Sequence, residues 1–414
     1  MLAMALMGAG LSSVDFLNGN MLPITLKHFL KDPFYLSCLL AVNHLGSFLV
    51  QPYVAWRSDR TFTRFGRRRP FLLIGMPITA IAVLMMGLLP ALFPGEARQA
   101  IFALAIVVLV NVLFQVFLDV YWGIEYPLYA DSFEQQRLGR AVSFRVAGKE
   151  LTSIFMYAMV IGLADRNECF PYLVSVAMVM GSLFIVVFII QENMEKRPVS
   201  EERYRPVENI ATLAANADYR KVALAATAGM MMLASRDLFI SLFATETLGM
   251  SKEQFGTAMK WGPLMALVMV LPGGFAVDWI GARYGVKYIM AFGFLLSTLC
   301  MAFTLFFVSG PLTLRIANIF WYVSLACHSL SIIPMIFQFV PAAERGRVFG
   351  LIQFTRASAG FITALLVGQL VKQFADYRAS FALSMVIALL GMIAALMTRR
   401  VKYAGGAHQR EEEG

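Results

Sequence analysis

Residues able to do chemistry are sparse in this chain, and they gather at a few places. Asn111, Gln115, Asp119 and Trp122 recur at helical intervals, which sets all four on one face of a helix. Arg145, Lys149 and Thr152 repeat the pattern a little further on. An acid, two amides and an indole on one stripe can hydrogen-bond hydroxyls and stack on the C–H face of a sugar. Desolvation and a neighbouring cation act in opposite senses on a carboxylate's hold on its proton. An acid so placed responds when the cation moves or a ligand enters. Asp119, with Arg145 and Lys149 as helpers, is therefore the candidate for coupling proton uptake to a substrate. Asp15 and Asn18 share a face near the start of the chain, and Asn318, Trp321 and Arg356 offer further ligand contacts in the second half. The adjacent Arg236 and Asp237 are expected to satisfy each other across the halves. No nucleophile–base set, metal-ligand spacing or phosphate loop is present, so the residues do not read as an enzyme. Cys38, Cys169, Cys300 and Cys327 are scattered and read as small apolar residues.

The elements that position these residues follow from composition. The chain of 414 residues is 59% apolar and 15% charged, whereas soluble domains carry about 25% charged residues. So apolar a chain cannot cover its own surface with polar groups, and it reads as an all-α integral membrane protein. A helix needs about 20 apolar residues to cross the hydrocarbon core, and the alternation of a membrane barrel is absent. Apolar runs between charged turns predict twelve spans: 3–27, 34–56, 71–93, 99–129, 141–164, 170–191, 220–245, 254–280, 286–308, 313–340, 348–373 and 379–398. The first eleven residues lack a basic start and are read as part of a span rather than a signal peptide.

Orientation follows from Lys and Arg in the connections. With the turn SDRTFTRFGRRRP (Ser58 to Pro70) in the cytoplasm, most basic residues fall on that side. The other side holds only Lys27, Lys31, Arg98, Arg166, Lys252, Arg315, Lys372 and Arg378. Both termini are thus expected in the cytoplasm, and the net charge of +9 reads as an orientation signal rather than a nucleic-acid face. Five acids inside spans (Asp15, Asp119, Glu125, Glu150, Asp237) match five bases (Arg145, Lys149, Arg236, Lys260, Arg356). That balance points to paired networks rather than an anion trap. Depth at about 1.5 Å per residue suggests Asp119–Lys149 and Glu125–Arg145 as pairs.

A polar connection at 192–219 divides the chain into a six-span bundle (1–191), a second (220–400) and a tail (401–414). The halves repeat each other. Asp59, Arg64, Phe65, Gly66 and Arg68 recur at identical spacing as Asp278, Arg283, Tyr284, Gly285 and Lys287, each set between the second and third span of its half. Gly139, Arg140 and Lys149 recur as Gly346, Arg347 and Arg356. Two echoes at equivalent places indicate duplicated halves. Gly66 permits a tight reversal, and Pro70 opens the next helix where its missing N–H costs nothing.

Six-plus-six halves with a basic, glycine-containing second turn resemble the major facilitator superfamily, whose substrate site lies between the halves near the midplane. The wider text LVQPYVAWRSDRTFTRFGRRRPF (Leu49 to Phe71) is similar to the sucrose/proton symporters and their relatives in the glycoside–pentoside–hexuronide:cation symporter group. Asp119, Pro127 and Ala130–Asp131 match those relatives' fourth helix. The resemblance implies sugar binding and proton coupling at Asp119, assisted by Arg145. It also implies a conformational latch at Asp59, Arg64, Gly66 and Arg68, echoed by Asp278, Arg283 and Gly285. Sodium-using melibiose carriers have two acids where this chain has Ser47 and Gln51, so the coupling ion is expected to be H+ rather than Na+, with no metal and no other cofactor. Tyr121, Trp122 and Glu125 replace the amides of the plant carriers. The expectation is a monomeric, proton-coupled importer of a disaccharide or glycoside in a bacterial inner membrane. An organic-anion or hexuronide carrier stays open because of the intramembrane bases. A drug/proton antiporter of the same superfamily is the other alternative, although such proteins carry a Gly-Pro-rich fifth helix and 146–164 has no proline.

Overall fold

The computed structural model describes residues 2–132, 135–189, 217–339 and 345–399. These form α1 (Leu2–Asn20), α2 (Leu22–Lys27), α3 (Pro33–Asp59), α4 (Arg69–Leu92), α5 (Ile101–Ser132), α6 (Gln135–Phe155) and α7 (Cys169–Phe188) in the first part of the chain. The second part contains α8 (Ala217–Asp237), α9 (Ile240–Leu242), α10 (Lys252–Met259), α11 (Trp261–Arg283), α12 (Lys287–Phe307), α13 (Pro311–Phe339), α14 (Arg345–Phe374) and α15 (Arg378–Leu396). No strand forms among the described residues beyond an isolated bridge between Thr63 and Gly66. The connection expected at 192–219 and the tail at 401–414 lie almost wholly outside the described residues.

The described residues are helical because backbone groups in lipid must be satisfied within their own segment. Eight helices among the described residues are long and apolar enough to cross a membrane. Their outer faces carry exposed large apolar side chains such as Ile74, Ile101, Phe306 and Leu390. Helix ends follow local chemistry. Asp32 caps α3 by accepting from the Phe34 N–H at 2.9 Å, with Pro33 in the first turn. Ser251 and Gln254 form a reciprocal capping box on α10.

The repeat in the sequence is a repeat in packing. In the first part α1 packs on α6 and α7, α3 on α5, and α4 on α5 and α7. In the second, α8 packs on α14 and α15, α11 on α13, and α12 on α13 and α15. The two sets correspond helix for helix. Two seams join them: α3 along α14, and α6 along α11. Along the first seam the backbone of α14 comes close because Gly360 lies against His44 and Gly368 against Ser37.

The doubled turn repeats its backbone as well. Gly66 has φ 108° and Gly285 φ 101°, a region that side-chain-bearing residues avoid. The Gly285 N–H closes the end of α11 on the carbonyls of Ile280 and Gly281. Arg68 is buried and donates to the Ser58 hydroxyl and the Ala55 carbonyl. Lys287, at the matching place, donates to the carbonyls of Leu396 and Thr398. The guanidinium groups of Arg64 and Arg283 lie over the rings of their neighbours Phe65 and Tyr284. The side chains of Asp59 and Asp278 lie outside the described residues.

Candidate functional site

Asp119 lies on the polar stripe of α5, and its side chain is fully buried. Its Oδ1 accepts from Gln51 Nε2 at 2.6 Å and from Ser47 Oγ at 3.0 Å, both on α3. Its Oδ2 is buried without a hydrogen-bond partner. The seat exists because residue 46 is glycine: a Cβ there would stand 1.9 Å from Oδ2. The structure therefore corrects one expectation: Asp119 meets the amide and hydroxyl of α3 rather than Lys149, and it is fully covered in this conformation. The physical reason is the gap at Gly46, which draws the carboxylate sideways into the α3–α5 contact.

The rest of the stripe divides. Asn111 is fully buried and donates to the Leu39 carbonyl at 2.9 Å, again on α3. It ties two helices together instead of facing a ligand. Gln115 donates to Asn18 Oδ1 at 2.7 Å, which links α5 to α1. Trp122 is half-buried with the Arg145 guanidinium 5.3 Å from its ring centre. Arg145 Nη2 donates to Glu125 Oε2 at 2.6 Å, so the pair expected from depth is present. Both side chains are almost fully enclosed, at 7% and 0% exposure.

Lys149 and Asp15 are half-buried. In the second part of the chain, Asn318 and Trp321 are fully buried. Neither is open to a ligand; both support Arg236, which donates to Asn318 Oδ1 at 2.9 Å and lies over the Trp321 ring at 4.6 Å. Arg236 pairs with its own neighbour Asp237 at 2.7 Å, within one helix end rather than across the halves. Arg356 is half-buried on α14, and its charge acts on the buried His328.

A second polar cluster has no counterpart among the expectations from sequence. It lies at the end of the bundle opposite the arginine-rich turn, since α3 runs from one to the other. Lys27 meets Glu246 at 3.3 Å and the Tyr377 hydroxyl at 2.6 Å. Glu168 bridges His28 at 2.9 Å and Lys252 at 2.6 Å. Asp165 accepts from the backbone N–H groups of Lys252 and Glu253 at the start of α10, and Asp32 pairs with Lys372 at 2.7 Å. Every one of these contacts except that to His28 joins the first part of the chain to the second, so the halves are tied at this end. Burial alone would raise the Glu168 carboxyl, but hydrogen bonds from His28 and Lys252 outweigh it and hold it at about 2. The hydrogen bond from Lys372 holds Asp32 below the ordinary carboxylate value. Single charges at span ends carry no sequence signal, because their partners lie more than eighty residues away.

Comparison with known proteins decides the family. A sequence model described as MFS/sugar transport protein matches residues 19–344. The chain belongs to that family. Two curated relatives, the sucrose transport proteins SUT5 of Oryza sativa subsp. indica and subsp. japonica, are each 42% identical over 53 residues, a stretch covering 13% of this chain and 10% of theirs. Among solved structures, a POT family transporter in complex with a thioalcohol-conjugated peptide superposes with TM-score 0.73 at 12% identity, covering 95% of this chain and 94% of that one. A point mutant of the nucleoside transporter NupG gives 0.73 at 12% identity, covering 97% and 100%. At such identities the likeness is one of fold. The protein is a membrane transporter of the major facilitator type, not an enzyme.

Proposed function

We propose that this protein is a proton-coupled symporter importing a neutral disaccharide or glycoside by alternating access. In this reading twelve spans form two six-helix halves, 1–191 and 220–400, joined by the 192–219 connection, with both termini in the cytoplasm of a bacterial cell. The observation that carries the coupling is the seat of Asp119. Its Oδ1 is held by two neutral donors and its Oδ2 faces no cation. A buried, unpaired charge is costly, so Oδ2 is where a coupling proton belongs. Ser47 and Gln51 supply no second acid to bind Na+, which favours H+.

The route from proton to substrate runs through α3. That helix holds Asp119 through Ser47 and Gln51, forms the close seam with α14, and begins at Asp32, which pairs with Lys372 of α14. Rocking one half against the other must move α3 relative to α5 or α14. Either movement disturbs the carboxylate's seat and exposes it. The arginine turns at the opposite end act in this reading as a latch through Asp59, Arg64, Gly66 and Arg68 and their counterparts Asp278, Arg283 and Gly285. They alternate with the Lys27, Glu168 and Asp32 ties.

A neutral ligand fits the charges better than an anion, because Arg145 and Arg236 already face Glu125 and Asp237. The hexuronide alternative rests on Lys149 and Arg356. Uptake of labelled sucrose, maltose, lactose and a methyl glucuronide into membrane vesicles after a pH jump separates the readings. Accumulation of a neutral sugar under an inward proton gradient is expected. Accumulation of the glucuronide alone, or equal drive by sodium, would contradict it.

A further inference from the structure

α11 and α12 both pack closely on α13 but hardly on each other. A cleft of about 280 Å³ is left between them, with α13 as its floor. α11 lends Met269 and Ile280 to the lining, α12 lends Tyr288 and Phe292, and α13 lends Ala326 and Cys327. The lining is almost wholly apolar, so it offers no partner to the hydroxyls of a sugar. Tyr288, Phe292, Leu295 and Leu299 form an exposed stripe along α12, which sets the mouth of the cleft on the lipid-facing side of the bundle. From Ile280 to Met269 the cleft runs about 16 Å along α11, at about 1.5 Å per residue.

The end of the cleft nearest the Gly285 turn is basic. Lys287 Nζ lies 5.3 Å from the ring centre of Tyr288, so the ammonium stands at the rim. An ammonium has three N–H groups. Lys287 spends two of them on the carbonyls of Leu396 and Thr398, at 3.1 and 2.8 Å. That contact sets Arg399, the next residue of the chain, close by. Arg283 ends α11 on the other side of the turn, and the first turn of α12 holds no acid.

A long apolar slot with a cationic rim at one end matches a molecule that is acyl chain at one end and phosphate at the other. We propose that the cleft binds an anionic glycerophospholipid of the phosphatidylglycerol type, drawn from the leaflet that borders the glycine turns. One acyl chain lies over Ala326 and Cys327, and the phosphate accepts from Lys287 and the Tyr288 hydroxyl. Within lipid the slot contributes van der Waals packing rather than a hydrophobic gain. Selectivity therefore comes from the rim, since bases at the membrane surface favour anionic headgroups.

The test uses the full chain in phosphatidylcholine vesicles with a trace of phosphatidylglycerol carrying a diazirine on one acyl chain. After irradiation, mass spectrometry maps the sites of attachment. Attachment should concentrate on the segments holding Phe292 and Ala326–Cys327. The same diazirine chain on phosphatidylcholine should attach there about tenfold less, and Lys287→Gln should cut that ratio about fivefold. Ala326→Phe fills the slot and should remove attachment there for both probes. Its attachment elsewhere should stay at the wild-type level, which also reports a folded protein. Equal attachment of the two probes, or attachment spread evenly over the lipid-facing helices, means ordinary boundary lipid and overturns the proposal. A ratio unmoved by Lys287→Gln overturns it too, and that result is readable even where Ala326→Phe does not fold. A dimer in micelles that Ala326→Phe dissociates would give the cleft to a second copy of the chain and overturn the lipid assignment as well.

Discussion

Removing one partner of the Glu125–Arg145 pair should be among the most damaging single changes outside the apolar core. The two side chains are 0% and 7% exposed, with 2.6 Å between Oε2 and Nη2. Charge centres about 4 Å apart attract by about 4 kcal/mol at an effective dielectric near 20. Glu125→Gln forfeits most of that and leaves a guanidinium enclosed beside Trp122. The expected loss is about 3–5 kcal/mol, typical of a broken buried pair. Arg145→Gln should cost a similar amount by leaving the carboxylate enclosed. The double variant should lose far less than the sum, with a coupling of at least about 2 kcal/mol. Glu125→Leu with Arg145→Met should come close to wild type, because both desolvation costs vanish together. Denaturant titration in mixed micelles measures all five proteins. Single-variant losses below about 1 kcal/mol would mean that the pair is solvated and that the enclosed geometry is wrong.

Other consequences follow from single atoms. Gly46→Ala places a methyl 1.9 Å from Asp119 Oδ2, so the carboxylate must leave its seat; proton-driven accumulation should fall about tenfold or more while membrane insertion stays normal. Gly66→Ala and Gly285→Ala force a side chain into positive φ and should each cost about 1–2 kcal/mol, read in the same titration. Glu168→Gln should loosen the tie between the halves by about 1 kcal/mol, discounted for partial exposure. Outside labelling of a cysteine placed at Asn18, in a Cys169→Ser background, should then rise about fivefold. Because the Glu168 carboxyl is depressed to about 2, its contribution is complete above the ordinary carboxylate value and is lost only as pH falls toward about 2. Its share of the labelling should therefore stay flat between about pH 5 and 8.

Much of this architecture is legible in the sequence for a physical reason. Lipid forces helices, so apolar run length announces an all-α membrane protein, and eight helices among the described residues are long and apolar enough to cross. The doubled motif exposes the repeat because a glycine at positive φ is needed at both copies. Depth counting finds Glu125 and Arg145 because their helices are antiparallel neighbours. It misplaces Asp119 because residue spacing gives height along a helix and not the gap on the facing one. That gap is the missing Cβ of Gly46. Ser47 and Gln51 stand out in the sequence for the acids they lack, not for the carboxylate they hold. Asn318 and Trp321 resemble ligand contacts because an amide and an indole look alike in sequence whether they face a cavity or brace an arginine. The ties at Lys27, Glu168 and Asp32 leave no trace in the sequence, since each depends on a partner in another bundle element far along the chain.

The most direct measurement is sugar flux through Asp119→Asn vesicles, compared with wild type in two modes. Under an inward proton gradient wild type should accumulate the labelled neutral sugar and the variant should not, while both exchange internal for external sugar at comparable rates with no gradient. Gradient-driven accumulation by the variant at the wild-type level would contradict the assignment of the coupling proton to the carboxylate seated against Gly46, Ser47 and Gln51.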